Sequence, residues 1–255
     1  QNTTWLMTQN TDAARIALAQ ADAAGSIPWH FFDKDTATYI SLLQFPTLWS
    51  DGRGGRNGTT GLVQPVDNEG SGWGNELAHV PDLSYVPYLM TGSRYRLNQL
   101  EAEASWAPIS MWPTPRKNEE GLIANGVGQV RGQAWGLREI VQAAYISPDD
   151  STLKPYFAEL LANNINFLLD EAKQLTRGQA YGWFPGDYRG RDGEMAPWQQ
   201  DFLRLIAGEN LGLRGATLLA GKRLALLGAT AGIGLATARL ALEQRHPAGK
   251  HRRVS

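Results

Sequence analysis

The most informative segment of the sequence is NELAHVPDLSYVPYLMTGSRYRLNQLEAEASW, residues 75–106. Apolar residues recur at helical spacing on both sides of the tripeptide Thr-Gly-Ser at 91–93, a combination typical of a tight turn between two helices. We expect the first helix to span residues 81–91 and the second to span 94–109. The stretch therefore predicts a pair of antiparallel helices.

Three residues indicate where the two predicted helices begin and where the first of them bends. Pro81 suits the first turn of a helix, and Ser93 suits the N-cap of the second helix. Pro87 falls inside the predicted first helix, where a proline removes a backbone donor and crowds the preceding turn. A kink is therefore expected at Pro87.

Helical patterns continue on both sides of this pair. A helix is predicted at 11–24, with Thr11 or Asp12 as its cap, followed by a second pair at 129–146 and 151–175 and a single helix at 197–211. The two pairs form a weak internal repeat. Between the first helix and the first pair, residues 26–75 are rich in Gly, Pro, Asn and Asp, and short strands are expected only near 38–43 and 61–64.

Composition excludes several classes of function. The chain has 24 Lys and Arg against 25 Asp and Glu, which argues against binding to nucleic acid or to an anionic membrane. It has no cysteine, so a disulfide framework, a thiolate metal site and a cysteine nucleophile are excluded. No apolar run is long enough to predict a transmembrane helix. Because the chain begins at Gln1, two interpretations stay open: a secreted or periplasmic protein that has lost a leader, or a segment excised from a longer chain.

The most informative polar cluster is Glu76, His79, Asp82 and Tyr85. Residues three apart share a helix face, so Asp82 and Tyr85 are expected to lie together with His79 just ahead of them. His79 and Tyr85 could act as base and acid in β-elimination from a uronate, or Glu76 or Asp82 could be one carboxylate of a hydrolytic pair. The alternative is structural, with Asp82 capping the helix and His79 satisfying a backbone group.

A second cluster lies on the helix predicted at 129–146. Arg131, Trp135 and Arg138 fall on one face, where two guanidinium groups beside an indole suit a carboxylated or sulfated sugar. The alternative is an ion-paired or solvated face with Trp135 in the core.

A third cluster begins the last predicted helix, where Trp198 and Asp201 lie three residues apart. Asp201 is a candidate second carboxylate that faces the first cluster, although it could instead only stabilise the helix dipole.

Nine tryptophans, with Trp73 among the candidates, suit either core packing or stacking on sugar rings. Neither a cofactor nor a resident metal ion is expected, since only four histidines are present and no H-E-x-x-H motif occurs. Ca²⁺ binding between loops stays open.

Three segments carry a resemblance to known proteins. AHVPDLSYVPYLMTGSRYRLNQLEAEASW, GQVRGQAWGLREIVQAAYISPDD and APWQQDFL resemble helix-pair segments of bacterial α/α-toroid proteins, a group that includes glycoside hydrolases and polysaccharide lyases. The resemblance covers about residues 5–210 and implies a mainly α, toroid-like domain over residues 1–213, with part of a ring. It implies a glycan-processing enzyme with a carbohydrate ligand, the rival being a non-catalytic helical scaffold or a carbohydrate-binding module.

The tail has a different character. AGKRLALLGATAGIGLATARLALEQ, residues 220–244, resembles the opening strand, glycine turn and helix of short-chain dehydrogenases. The sequence stops before the acidic residue for the ribose and before the Tyr-x-x-x-Lys pair, so a truncated NAD(P) binder is only a distant alternative. We expect residues 214–255 to be an appended βα-like tail, disordered after about residue 246.

Overall fold

The computed structural model describes residues 1–50, 76–125, 128–178, 184, 186 and 196–210, without the side chains of 172–178 and 208–210. Within these residues the chain is mainly helical, as predicted. The helices are α1 (Asn2–Thr8), α2 (Thr11–Ala23), α3 (Tyr85–Thr91), α4 (Arg94–Ile109), α5 (Val130–Ile146), α6 (Leu153–Gly178) and α7 (Pro197–Asn210). Short 3-10 turns lie at Ala24–Ser26, Leu77–His79 and Asn118–Glu120, and strands β1 (Phe32–Asp33) and β2 (Thr38–Tyr39) form one antiparallel pair.

The helix bounds agree closely with the sequence patterns, except at the start of α3. Pro81 does not open that helix, because residues 80–83 are not helical and α3 begins at Tyr85. Pro87 is therefore the third residue of α3, within the first turn, where its missing N–H costs no intrahelical hydrogen bond. The physical reason for a kink at Pro87 is thus absent.

Two smaller predictions are also corrected. The cap of α2 is Asn10 rather than Thr11 or Asp12, since the Asn10 side chain accepts a hydrogen bond from the Ala13 N–H at 2.8 Å. The strand predicted at 38–43 has only two residues, Thr38 and Tyr39. The strand predicted at 61–64, Trp73 and the tail from 214 onward lie outside the described residues.

Helix α5 is the centre of the described part, since α4, α6 and α7 all pack against it. The largest apolar cluster combines residues from the segment between α2 and α3 with α4 and α6, and its buried aromatic members include Trp29, Trp106 and Phe157. A second cluster joins α5 to α7 through Leu137 and Leu203. Each such large buried side chain contributes about 1.5–3 kcal/mol relative to an exposed one.

A close approach at Gly132 sets the position of the Leu77–His79 turn. A Cβ atom on Gly132 would lie only 3.2 Å from the backbone nitrogen of Ala78. Because glycine has no side chain, the turn can lie directly against α5. This contact brings His79 beside the first turn of α5.

Arg116 links the loops around α4 through hydrogen bonds to their backbone carbonyls. It is fully buried, and its guanidinium donates to the carbonyl oxygens of Pro46, Leu48, Pro108, Met111 and Asn118 over 2.6–3.2 Å. Burial lowers the pKa of Arg116 to about 10.

Asn164 plays a similar role on α6, because its buried amide accepts from the N–H of Ile123 at 2.8 Å and donates to the Gly121 carbonyl at 3.0 Å. No helix in the described ranges is long and apolar enough to cross a membrane.

Candidate functional site

The Leu77–His79 turn presents a carboxylate and an imidazole at the surface. One Glu76 oxygen accepts a hydrogen bond from the Ala78 N–H at 3.1 Å, which caps the turn. The other Glu76 oxygen contacts Nδ1 of His79. The Nε2 atom of His79 lies 3.1 Å from an Nη2 atom of Arg131. Glu76, His79 and Arg131 therefore form a continuous polar row, which we call the His79 row.

The partners of His79 determine its tautomer. A carboxylate only accepts hydrogen bonds and a guanidinium only donates them, so Nδ1 must carry the proton and Nε2 must carry the lone pair. The His79 side chain is 67% exposed, so a ligand can reach it. An exposed imidazole with an oriented lone pair is suited to accept a proton.

Arg131 connects the row to α7. Its backbone N–H donates to the Gln199 side chain at 3.0 Å, and its Nη2 donates to Gln129 at 3.0 Å. Its guanidinium carbon lies 5.6 Å from the ring centroid of Trp198, which is 42% exposed. The first turns of α5 and α7 thus place a guanidinium beside an accessible indole, a pairing of Arg131 with Trp198 that the sequence analysis did not predict.

Trp135 and Arg138 lie further along α5 and are more enclosed. Trp135 packs against Phe202 with ring centroids 4.7 Å apart, and Phe202 contacts the Trp198 ring edge-on at 5.6 Å. The Arg138 guanidinium lies 4.6 Å from the Trp135 centroid and pairs with Glu139. The three side chains predicted to share a face of α5 therefore differ in exposure. Arg131 lies at the accessible end, whereas Arg138 is mostly buried and ion-paired.

Asp82 and Tyr85 do not share a helix face, because α3 begins only at Tyr85. Asp82 accepts a hydrogen bond from the Gln142 amide at 3.1 Å, and its backbone oxygen accepts from Asn2 at 2.9 Å. Tyr85 is buried and packs in an apolar cluster with Val86. The prediction that Asp82 and Tyr85 share a helix face is therefore wrong.

Asp201 lies on α7, three residues after Trp198, and is exposed to solvent. It is thus an accessible carboxylate on the same helix as the indole. Trp73 lies outside the described residues. No cluster of three or more histidine, aspartate or glutamate side chains suited to a metal ion occurs within the described ranges.

Sequence reasoning missed two carboxyl groups, Glu103 on α4 and Glu139 on α5, both fully buried. They lie on two helices that pack against each other, and we call them the buried carboxyl pair. Burial raises the pKa of Glu103 well above its usual range and the pKa of Glu139 to about 7. One signal was present in the sequence, because Ala102, Ala104 and Trp106 surround Glu103 with residues typical of a core.

The buried carboxyl pair predicts a pH-dependent stability. Since the pKa of Glu139 is raised from 4.5 to about 7, the native chain holds more protons than the unfolded chain between these values. The free energy of unfolding should fall by about 3 kcal/mol on this account as pH rises through that interval. Denaturant unfolding of wild type and Glu139→Gln at pH 4.5 and pH 7.5 measures it. Equal pH dependence in the two proteins would refute the prediction.

Comparisons with protein-family models, with curated proteins and with solved structures find no match to this chain.

Proposed function

We propose that the chain binds a uronate-containing glycan at the His79 row and Trp198 and cleaves it by β-elimination, as a polysaccharide lyase does. The observation that carries this proposal is the position of His79 between Glu76 and Arg131, with its lone pair directed at a guanidinium. A substrate carboxylate would displace this contact, since guanidinium–carboxylate pairs are stronger than guanidinium–imidazole contacts. The freed Nε2 would then lie beside the bound uronate.

The reaction balances with groups of the row. Arg131 neutralises the carboxylate of the uronate, which makes the proton on the adjacent C5 more acidic. His79 takes that proton at Nε2, the C–H electron pair forms the C4=C5 double bond, and the C4–O bond to the leaving sugar breaks. The leaving oxygen receives the proton from the His79 imidazolium. Glu76 stabilises that imidazolium and holds its ring in place.

The helix arrangement supports the finer proposal of an α/α-toroid. Helices α3 and α4 are consecutive, joined by residues 92–93, and pack on each other. Helices α5 and α6 are joined by residues 147–152 and do the same. Successive helix pairs of this kind build a toroid, and the ends of α5 and α7 that meet at Arg131 and Trp198 would lie at one rim.

A panel of polysaccharides tests the proposed reaction. Neutral and uronate-rich polymers are incubated with the chain, and new reducing ends and ultraviolet absorbance of unsaturated uronates are measured in parallel. Elimination predicts both signals and only on uronates. Reducing ends without absorbance would indicate a glycoside hydrolase that uses exposed carboxylates such as Glu76 and Asp201. Binding without either signal would indicate a non-catalytic carbohydrate-binding module, and neither binding nor cleavage would indicate a helical scaffold.

Replacing Trp198 with alanine should weaken binding of a uronate oligosaccharide about tenfold, because a ring that stacks on a sugar or supports a cation contributes about 1–2 kcal/mol. Trp112→Ala is the matched control, since Trp112 is 50% exposed and likewise packs edge-on against an aromatic ring, that of Trp49 at 5.6 Å. Titration calorimetry measures both dissociation constants. Equal losses in the two variants would count against Trp198 as part of the sugar surface.

A further inference from the structure

Gln199 joins the first turns of α5 and α7 beside the His79 row. It is the third residue of α7 and is only 2% exposed. Its side-chain oxygen accepts a hydrogen bond at 3.0 Å from the backbone N–H of Arg131, the second residue of α5. Its Nε2 atom has no hydrogen-bond partner among the described residues. Within that part of the chain, the buried amide therefore serves the backbone of Arg131.

Helix α5 receives this acceptor from outside itself. The first N–H groups of a helix have no partner within the helix and are commonly capped by the side chain of the residue that precedes it. Gln129 precedes α5, but its side chain makes no cap and instead accepts from Nη2 of Arg131 at 3.0 Å. Gln199 thus caps α5 from a second helix. The backbone of Arg131 is held by α7, and its guanidinium is held by Gln129.

The same turn of α7 carries the accessible indole. Trp198 directly precedes Gln199, and its ring centroid lies 5.6 Å from the guanidinium carbon of Arg131. Further along the two helices, Trp135 of α5 packs against Phe202 of α7 with ring centroids 4.7 Å apart. At the first turn, the hydrogen bond from Arg131 to Gln199 therefore sets the spacing between the indole and the guanidinium.

We propose that Gln199 is a positioning residue that determines the preference for acidic sugars, because it holds Arg131 at a fixed place beside Trp198. This inference rests on the proposed binding of a uronate, and Gln199 acts only through Arg131. A sugar stacked on Trp198 meets a fixed guanidinium, which favours a carboxylate over an uncharged group. Without the hydrogen bond, the first turn of α5 can move relative to α7, and the positive charge loses its fixed place.

The test replaces Gln199 with leucine and uses Gln200→Leu as the matched control. Gln200 is the next residue of α7 and is 3% exposed, but its amide bonds to the backbone N–H and carbonyl of Phe184, each at 2.8 Å. Calorimetry measures the dissociation constants of a uronate oligosaccharide and of its uncharged methyl ester. Gln199→Leu should weaken binding of the acid about fivefold, the factor that one hydrogen bond provides, and leave the ester within about twofold. Gln200→Leu should leave both within about twofold.

Urea unfolding of the same variants separates positioning from a general loss of structure. Gln200→Leu removes two hydrogen bonds to the backbone, so it should lower the midpoint of unfolding at least as much as Gln199→Leu, which removes one. A purely structural effect would weaken binding at least as much in Gln200→Leu, or would weaken binding of the acid and the ester alike. Either result would overturn the proposal.

A readout without glycan tests the position of Arg131 by itself. Because Nε2 of His79 lies 3.1 Å from Nη2 of Arg131, the nitrogen resonance of Nε2 is compared by NMR at one pH in wild type and variants. It should shift in Gln199→Leu and in Gln199→Met, which keeps the side-chain length but is a weak acceptor, and stay in place in Gln200→Leu. If these shifts appear but no uronate binds, the positioning of Arg131 holds and the proposed function fails. An unchanged resonance in both Gln199 variants would overturn the positioning.

Discussion

Replacing His79 with alanine should lower kcat for uronate elimination by about 10²–10⁴-fold, because a positioned general base contributes a factor of this size. The loss should appear in kcat more than in KM, since Arg131 and Trp198 still bind the sugar. Steady-state rates from the ultraviolet absorbance of the product measure it. Glu76→Gln should have a smaller effect, about tenfold, because it leaves Nε2 in place and removes only the charge that stabilises the imidazolium.

His30→Ala is the matched control for His79. His30 is a half-buried histidine whose ring contacts the Ile27 carbonyl at 2.9 Å and the Gln99 side chain, and it takes no part in the His79 row. It should leave kcat within about threefold of wild type if the variant folds, which circular dichroism checks. If His79→Ala kept kcat within that same range, His79 would not be the base.

Replacing Arg116 with alanine should lower the free energy of unfolding by about 4 kcal/mol or more. Five backbone carbonyls accept from this buried guanidinium, and each loses a charged donor in the variant. Buried polar groups left without a partner cost about 1–3 kcal/mol each, although some of these carbonyls will gain water. Urea unfolding followed by circular dichroism measures the change.

Two variants separate the hydrogen bonds of Arg116 from its charge. Arg116→Lys keeps the charge but has three donors on one atom, so it cannot reach carbonyls spread between Pro46 and Asn118 and should recover less than half of the loss. Arg94→Ala removes an exposed arginine that bonds only locally to Asn98, and should cost below about 1 kcal/mol. A similar small cost for Arg116→Ala would contradict the role assigned to Arg116.

The helices could be predicted from sequence because their signals are local. The bounds of α4 were predicted at 94–109 and are Arg94–Ile109, since Gly92 provides a left-handed end for α3 and Ser93 directly precedes the next helix. Helices α5 and α7 were likewise predicted to within about a residue. Proline misled the prediction at 81, because a proline suits both a first helical turn and the extended chain before one.

The interior charges could not be predicted because burial depends on several helices at once. The sequence analysis did not single out Glu101, Glu103 and Glu139, and all three are buried. On α4 no single apolar stripe marks an inner face, since nearly every residue from Gln99 to Ile109 is buried. Only the packing of the helices, α4 against α5 among them, shows that these carboxyl groups are buried.

The candidate site was predicted in part. The association of Glu76 with His79 follows from their spacing in one turn, whereas the contact of His79 with Arg131 spans 52 positions and depends on the close approach at Gly132. The first helix was predicted to begin at residue 81 but begins at Tyr85. Tyr85 was therefore expected on a polar helix face, whereas its side chain packs in an apolar cluster.

Elimination at His79 is tested by the ratio of unsaturated ends to new reducing ends on a uronate polymer. Each elimination creates one unsaturated uronate and one reducing end, so we expect a ratio near one for wild type and loss of both signals in His79→Ala. New reducing ends with no unsaturated uronate, unaffected by the loss of His79, would contradict it.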